Sequence, residues 1–136
     1  MTTCTVLGVG ISSFAREQIV ASIHNGFVRR GRTWNTSELR IAENCEEAVS
    51  LARSHQLDVV HFCNQTGIKP LRYSHKCEQL AALFELYHEP PLLCSMDYPL
   101  LQRLTPTFVR HNMLIRHCDL SDGIYQSYIR RRQKTA

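Results

Sequence analysis

Residues Asp58 to Cys63 read DVVHFC, with Gln56 just ahead and Asn64-Gln65-Thr66-Gly67 behind. So short an apolar run between turn-forming residues predicts a buried central strand, Leu57 to Cys63, running into a loop. In open α/β sheets, function gathers at the carboxyl ends of such strands, beside the point where strand order reverses. Cys63 stands at that place. The residues near it in sequence form no recognisable catalytic set, so the expectation is a domain without enzymatic activity.

Outward from this strand, apolar runs alternate with helical stripes. Thr5 to Val9 is a first strand. Ser12 and Ser13 are N-cap candidates for a helix whose stripe, Phe14, Ile19, Val20 and Ile23, ends at Asn25-Gly26. Arg29 to Ser37 reads as a basic loop and Leu39 to Ala42 as a second strand. Asn44-Cys45-Glu46-Glu47 has the form of a capping box that opens a helix to about His55. Past the central strand, Leu80, Leu83, Phe84 and Tyr87 mark one face of a helix from about Tyr73 to His88, stopped by Pro90-Pro91. Leu92 to Ser95 is a fourth strand, and Leu100, Leu101, Leu104 and Phe108 mark an amphipathic segment interrupted near Pro106. Met113 to Arg116 is a fifth strand, and Leu120 to about Arg132 a last helix with Ile124, Tyr125, Tyr128 and Ile129 at helical spacing. Five strands alternating with helices predict an α/β domain. It is a doubly wound five-stranded parallel sheet in a three-layer α/β/α sandwich.

The 136 residues suit one domain, 1–136, with a short basic tail from about 130. At 43% hydrophobic and 21% charged, the composition excludes wholesale disorder. No basic leader precedes Cys4 and no apolar stretch approaches spanning length, so a cytoplasmic protein is expected. The six cysteines (Cys4, Cys45, Cys63, Cys77, Cys94, Cys118) contain no Cys-x-x-Cys pair, which reads as free thiols in a reducing compartment. The sequons at Asn35 and Asn64 carry no weight in a protein that is not exported. The net charge of +4 gathers in Arg29, Arg30 and Arg32, and in Arg130, Arg131 and Arg132 with Lys134. Nucleic-acid binding is one reading of these clusters. Neither is interleaved with aromatics, which favours a solvated loop and a charged helix C-terminus.

Three stretches resemble the receiver domain of bacterial two-component response regulators. VLGVGISSFAREQIVASI (Val6 to Ile23) resembles a first strand, loop and helix. AENCEEAVSLARSHQLDVVHFC (Ala42 to Cys63) is similar to the second strand end, second helix and central strand, and MLIRHCDLSDGI (Met113 to Ile124) to the fifth strand and last helix. The resemblance implies a flavodoxin-like sandwich. Receivers carry two acids after the first strand and an acceptor Asp ending the third, which hold Mg²⁺ for in-line phosphoryl transfer. Here those places fall on Gly10, Ile11 and Cys63. The hydroxyl position would be Ser95, the lysine position Arg116, and the aromatic switch Met113. The resemblance thus implies a pseudo-receiver without cofactor. It would bind a regulatory protein, or a second copy of itself, through the fourth helix, fifth strand and last helix. Leu101, Phe108, Tyr125 and Tyr128 are its candidate anchors.

Two rival readings remain. Gly8-Val9-Gly10-Ile11-Ser12-Ser13 follows a strand and opens a helix, as a dinucleotide-binding turn requires, and Glu43 could take a ribose hydroxyl. DVVHFC with Pro91 to Pro99 also resembles parts of Gfo/Idh/MocA-type oxidoreductases. Those enzymes add a catalytic domain and a Lys-Pro where this chain has Met96-Asp97-Tyr98-Pro99. The other reading is a thiol-based redox or metal sensor. Cys63, Cys94 and Cys118 all fall at strand ends, with His61 and His117 nearby and His75-Lys76-Cys77 as a further near pair. His61 and Cys63 lie roughly 6.6 Å apart along a strand, too far for a direct bond.

Overall fold

The computed structural model describes residues 4–32, 37–64 and 75–135. Its strands are β1 (Cys4–Val9), β2 (Ser37–Ala42), β3 (Val59–Phe62), β4 (Leu92–Ser95) and β5 (Ile115–His117). Between and after them run α1 (Arg16–Arg29), α2 (Cys45–Ser54), α3 (His75–Leu86), α4 (Tyr98–Arg110) and α5 (Leu120–Thr135). Every strand pair is parallel, and the order is β2-β1-β3-β4-β5. This is the flavodoxin-like order, whose reversal point lies between β1 and β3. It differs from the order of a dinucleotide-binding half, in which the third strand lies beside the second rather than beside the first.

Parallel strands need crossover helices, and these cover both faces of the sheet. Leu7, Val9, Val60, Phe62 and Leu93 point into the layer of α2, α3 and α4, against Ala48, Val49, Leu80, Phe84 and Phe108. Cys4, Val6, Val59 and Cys94 point the other way, against Ile23 and Phe27 of α1 and Ile124 of α5. Burial on both faces is why the strands read as continuous apolar runs rather than as alternation. Phe108 stacks near Phe62 and Phe84, with centroids 5.5 and 6.5 Å away. At the opposite end, the Thr5 amide donates to the Asp58 carboxylate at 2.8 Å, while the Asp58 amide returns a bond to the Thr5 carbonyl.

Several sequence expectations are corrected. Asn25-Gly26 does not end the first helix, which continues to Arg29. Gly26 sits where α1 meets α5, and a Cβ there would collide with Ser121. Space between helices, not chain termination, explains this glycine. Phe14 leaves the expected stripe: it lies in a 3₁₀ turn (Ser13–Ala15) before α1 and is 96% exposed. Pro106 does not interrupt α4. It sits on the exposed side, where the missing N–H and the ring's displacement of a carbonyl are offset by water. Met113 precedes β5 instead of lying on it. The loop at 33–36, the segment 65–74 with the expected helix start at Tyr73, and the His75 side chain lie outside the described residues. So do the side chains of Arg131, Arg132 and Lys134. Among the described residues, no helix is long and apolar enough to cross a membrane.

Candidate functional site

The carboxyl edge of the sheet gathers the ends of β1, β3, β4 and β5. Gly10 follows β1 with φ 79°, and its Cα faces the carbonyl of Cys63 so closely that a Cβ would collide with that oxygen. The Cys63 amide donates to Val9 across the same gap at 2.8 Å. Ser95, wholly buried, donates to the Phe62 carbonyl at 2.7 Å and accepts from the Asp97 amide at 3.2 Å. Asp97 in turn caps α4 by accepting from the Leu100 amide at 3.0 Å. Gly10 and Ser95 are therefore brought to the end of β3, through the backbone of Cys63 and of Phe62 respectively.

The other two expected members of that pocket are not. Ile11 is buried and folds back over Gly8, with its Cδ1 where a Gly8 side chain would stand. Arg116 is exposed, and its partner in the β4–β5 register is Cys94, whereas Ser95 pairs with His117. Neighbouring register positions face opposite sides of a sheet, so Arg116 does not share a site with Ser95. Gly10 and Ile11 supply no carboxylate, and Ser95 spends its hydroxyl on backbone. Magnesium, which demands oxygen ligands, does not fit these residues. Burial pushes the Cys63 thiol up to about 11, with Asp97 adding to the shift. It is a poor nucleophile at neutral pH.

The turn does not suit a dinucleotide either. The amides of Gly10 and Ile11 both point at the Ala42 carbonyl, at 2.8 and 3.4 Å, so the donors a pyrophosphate needs are already engaged. The Ile11 side chain closes the space over Gly8, and α1 begins only at Arg16, after the 3₁₀ turn capped by Ser12. Glu43 is exposed beside this turn.

A second group of residues lies on the α1/α5 side of the same edge. His61 and Cys94 share a register position, and His61 Nδ1 is 3.1 Å from Cys94 Sγ. Cys118, half-buried, packs against the apolar cluster that holds Cys94 and stands directly before the Asp119 that caps α5. Burial holds His61 down at about 4, against the opposing pull of Asp119, so its ring is neutral. Sequence spacing placed Cys63 and His117 in one thiol cluster with Cys94 and Cys118. His117 instead turns to Tyr98, with ring centroids 5.6 Å apart. Among the described residues no three His, Cys, Asp or Glu side chains are arranged to hold a metal.

Of the expected anchors, Phe108 is corrected to a core residue with no exposed surface, and the switch position Met113 is buried with it. Tyr125 is half-buried under the guanidinium groups of Arg30 and Arg32, 5.7 and 5.3 Å from its centroid. Arg30 also pairs with Asp122 at 3.0 Å, so part of the basic loop is taken up in holding α5. Arg29 and Arg32 are exposed, Tyr128 is half-buried, and Arg130 donates to the Pro90 carbonyl at 3.2 Å.

The exposed apolar side chains that sequence reading did not single out lie on α4 and just before α4 and β5. Met96, Tyr98, Val109 and Leu114 are four of the seven large hydrophobic side chains exposed among the described residues, and Leu114 is 76% exposed. Tyr98 and Val109 are eleven positions apart, three turns of helix, and so share one line along α4. The Met113-Leu114-Ile115 run gave no sign of this, because an apolar run at a sheet edge reads like one in the middle. Compared with known protein families, curated proteins and solved structures, the chain matched none.

Proposed function

We propose that this chain is a non-enzymatic regulatory interaction module of the cytoplasm, resembling a pseudo-receiver that has lost phosphoryl chemistry. The observation that carries the reading is that Met96, Tyr98, Val109 and Leu114, all exposed, lie on α4 or on the segments that flank it. Scattered exposed hydrophobics need no explanation, but four on and around one helix suit a protein contact. The flavodoxin-like strand order and the lack of acids at Gly10 and Ile11 agree with it. The partner is a regulatory protein or a second copy of the chain, and α4 and β5 carry the contact more than Tyr125 does.

The test is self-association by sedimentation velocity, together with capture of partners from extract, for the wild type and for Tyr98→Asp/Leu114→Asp. The contact should weaken at least tenfold in a variant that keeps the wild-type unfolding midpoint. The reading fails if no association of either kind responds to these substitutions. It also fails if NADH, NADPH or flavin raises the midpoint by several degrees, the shift expected of a ligand well above its dissociation constant.

A further inference from the structure

Two of the six cysteines meet across a pair of helices. Cys45 is the first residue of α2, and Cys77 lies in the first turn of α3. Their sulfurs are 3.0 Å apart, and both residues are buried. Neither is in a disulfide. The meeting follows from topology. Strands β2 and β3 both run parallel to β1, so the helices that follow them both start at the carboxyl edge of the sheet. Side chains lean towards the N-terminus of their helix, which puts the two thiols at that end of the layer rather than in its middle. The apolar cluster they share includes Val9, Ala42 and Phe62, the last residues of β1, β2 and β3. Sequence gave no sign of the pair, because its members are 32 positions apart.

We propose that Cys45 and Cys77 form a redox modification site, at which a hydroperoxide joins the two sulfurs into a disulfide that pins the first turn of α2 to that of α3. The site does not rest on the interaction reading. A disulfide bond is about 2.05 Å long, so closing it brings the sulfurs together by only about 1 Å. Among the described residues, no further His, Cys, Asp or Glu joins the pair to hold a metal. Two-electron oxidation is the chemistry open to two thiols in contact.

The step balances with either sulfur reacting first. One thiol gives up its proton, and its sulfur attacks one oxygen of the hydroperoxide. The O–O bond breaks, the departing hydroxide or alkoxide takes that proton, and the sulfur becomes a sulfenic acid. The second sulfur then attacks the first. The S–S bond forms, the S–O bond breaks, and the hydroxyl leaves as water with the second thiol's proton. The two sulfurs lose two electrons in all, and the hydroperoxide accepts both.

The surroundings set when this happens. Both thiols stand at helix N-termini, whose positive end favours a thiolate. Whichever sulfur ionises keeps the S–H of the other as a hydrogen-bond donor. Against this, the hydrogen bond with Cys77 and then burial hold the Cys45 thiol far above its ordinary range. The pair therefore resists casual oxidation and reacts faster as pH rises. Burial also favours an oxidant as small as a hydroperoxide over a bulky disulfide.

The experiment treats the reduced full chain at pH 8 with a small excess of hydrogen peroxide and maps disulfides by non-reducing peptide mass spectrometry. The intramolecular disulfide that forms should join Cys45 to Cys77. By closing a loop across 32 positions, it should raise the thermal midpoint by roughly 10 °C, and dithiothreitol should reverse the shift. In Cys45→Ala and in Cys77→Ala, peroxide should leave the midpoint where it was. The wild-type map and midpoint decide the matter even where a variant fails to fold. The proposal is overturned if the intramolecular disulfide joins any other two cysteines, or if none forms in the folded chain. It is equally overturned if the linked chain unfolds no higher than the reduced one.

Discussion

Gly10 holds a left-handed backbone against the carbonyl oxygen of Cys63, and this contact closes the sheet at the point where strand order reverses. In related architectures the gap between these two strand ends is where ligands enter. Here the carbonyl, the engaged amides of Gly10 and Ile11, and the folded-back Ile11 side chain leave no cradle.

Gly10→Ala should therefore cost at least about 3 kcal/mol, because strain from a positive φ adds to a collision with backbone. Gly31 also has a positive φ, 69°, but a Cβ there meets nothing within 4 Å. Gly31→Ala should cost only about 1 kcal/mol. Urea unfolding of the two variants decides the matter, and equal losses would mean that the Cys63 contact contributes nothing.

Cys63→Asp should not take up phosphate from acetyl phosphate with Mg²⁺. It supplies an acceptor carboxylate but leaves Gly10 and Ile11 without metal ligands. Intact mass after incubation reads the result, and a phosphorylated variant would refute the account of what the pocket lacks.

His61 makes stability depend on pH. Its folded value of about 4 lies below the ordinary 6.5, so the unfolded chain binds the extra proton between these limits. The contribution is complete above pH 6.5 and is lost as pH falls towards 4, amounting to roughly 3 kcal/mol. Denaturant titrations at pH 7 and 4.5 should show a smaller difference in His61→Gln than in the wild type. Parallel behaviour would mean that another group titrates.

Phe108 and Leu114 are both apolar and six residues apart, yet their substitutions should differ sharply. Phe108→Ala empties a site between Phe62 and Phe84 and should cost 3–5 kcal/mol. Leu114→Asp changes an exposed side chain and should stay within about 0.5 kcal/mol. Thermal unfolding of both variants checks this. A large loss in Leu114→Asp would place that residue in the core and remove the proposed contact surface.

Much of the fold was legible because local chemistry signals it. The Asn44 cap was readable from its spacing, and in the structure it accepts from the Glu47 amide at 2.9 Å. Glu47 reaches one residue further back than a capping box requires, to the Glu43 amide. Leu92 to Ser95 was readable as a strand because Pro90-Pro91 precedes it and every residue is apolar or small. Pro106 and Asn25-Gly26 misled because a breaker's effect depends on what lies beside it: water in one case, Ser121 of α5 in the other.

By itself the sequence determined the class of fold: periodicity and turn chemistry are local, and burial on both faces requires continuous apolar strands. It also determined that no acid stands at positions 10, 11 or 63. Which residues meet was decided only by the tertiary structure. Strand order placed β3 beside β1, and register paired Arg116 with Cys94 instead of Ser95 and brought His61 against Cys94, 33 residues along the chain. These contacts depend on how strands pair over long separations, and hydrophobic pattern is the same for every pairing that buries the same face.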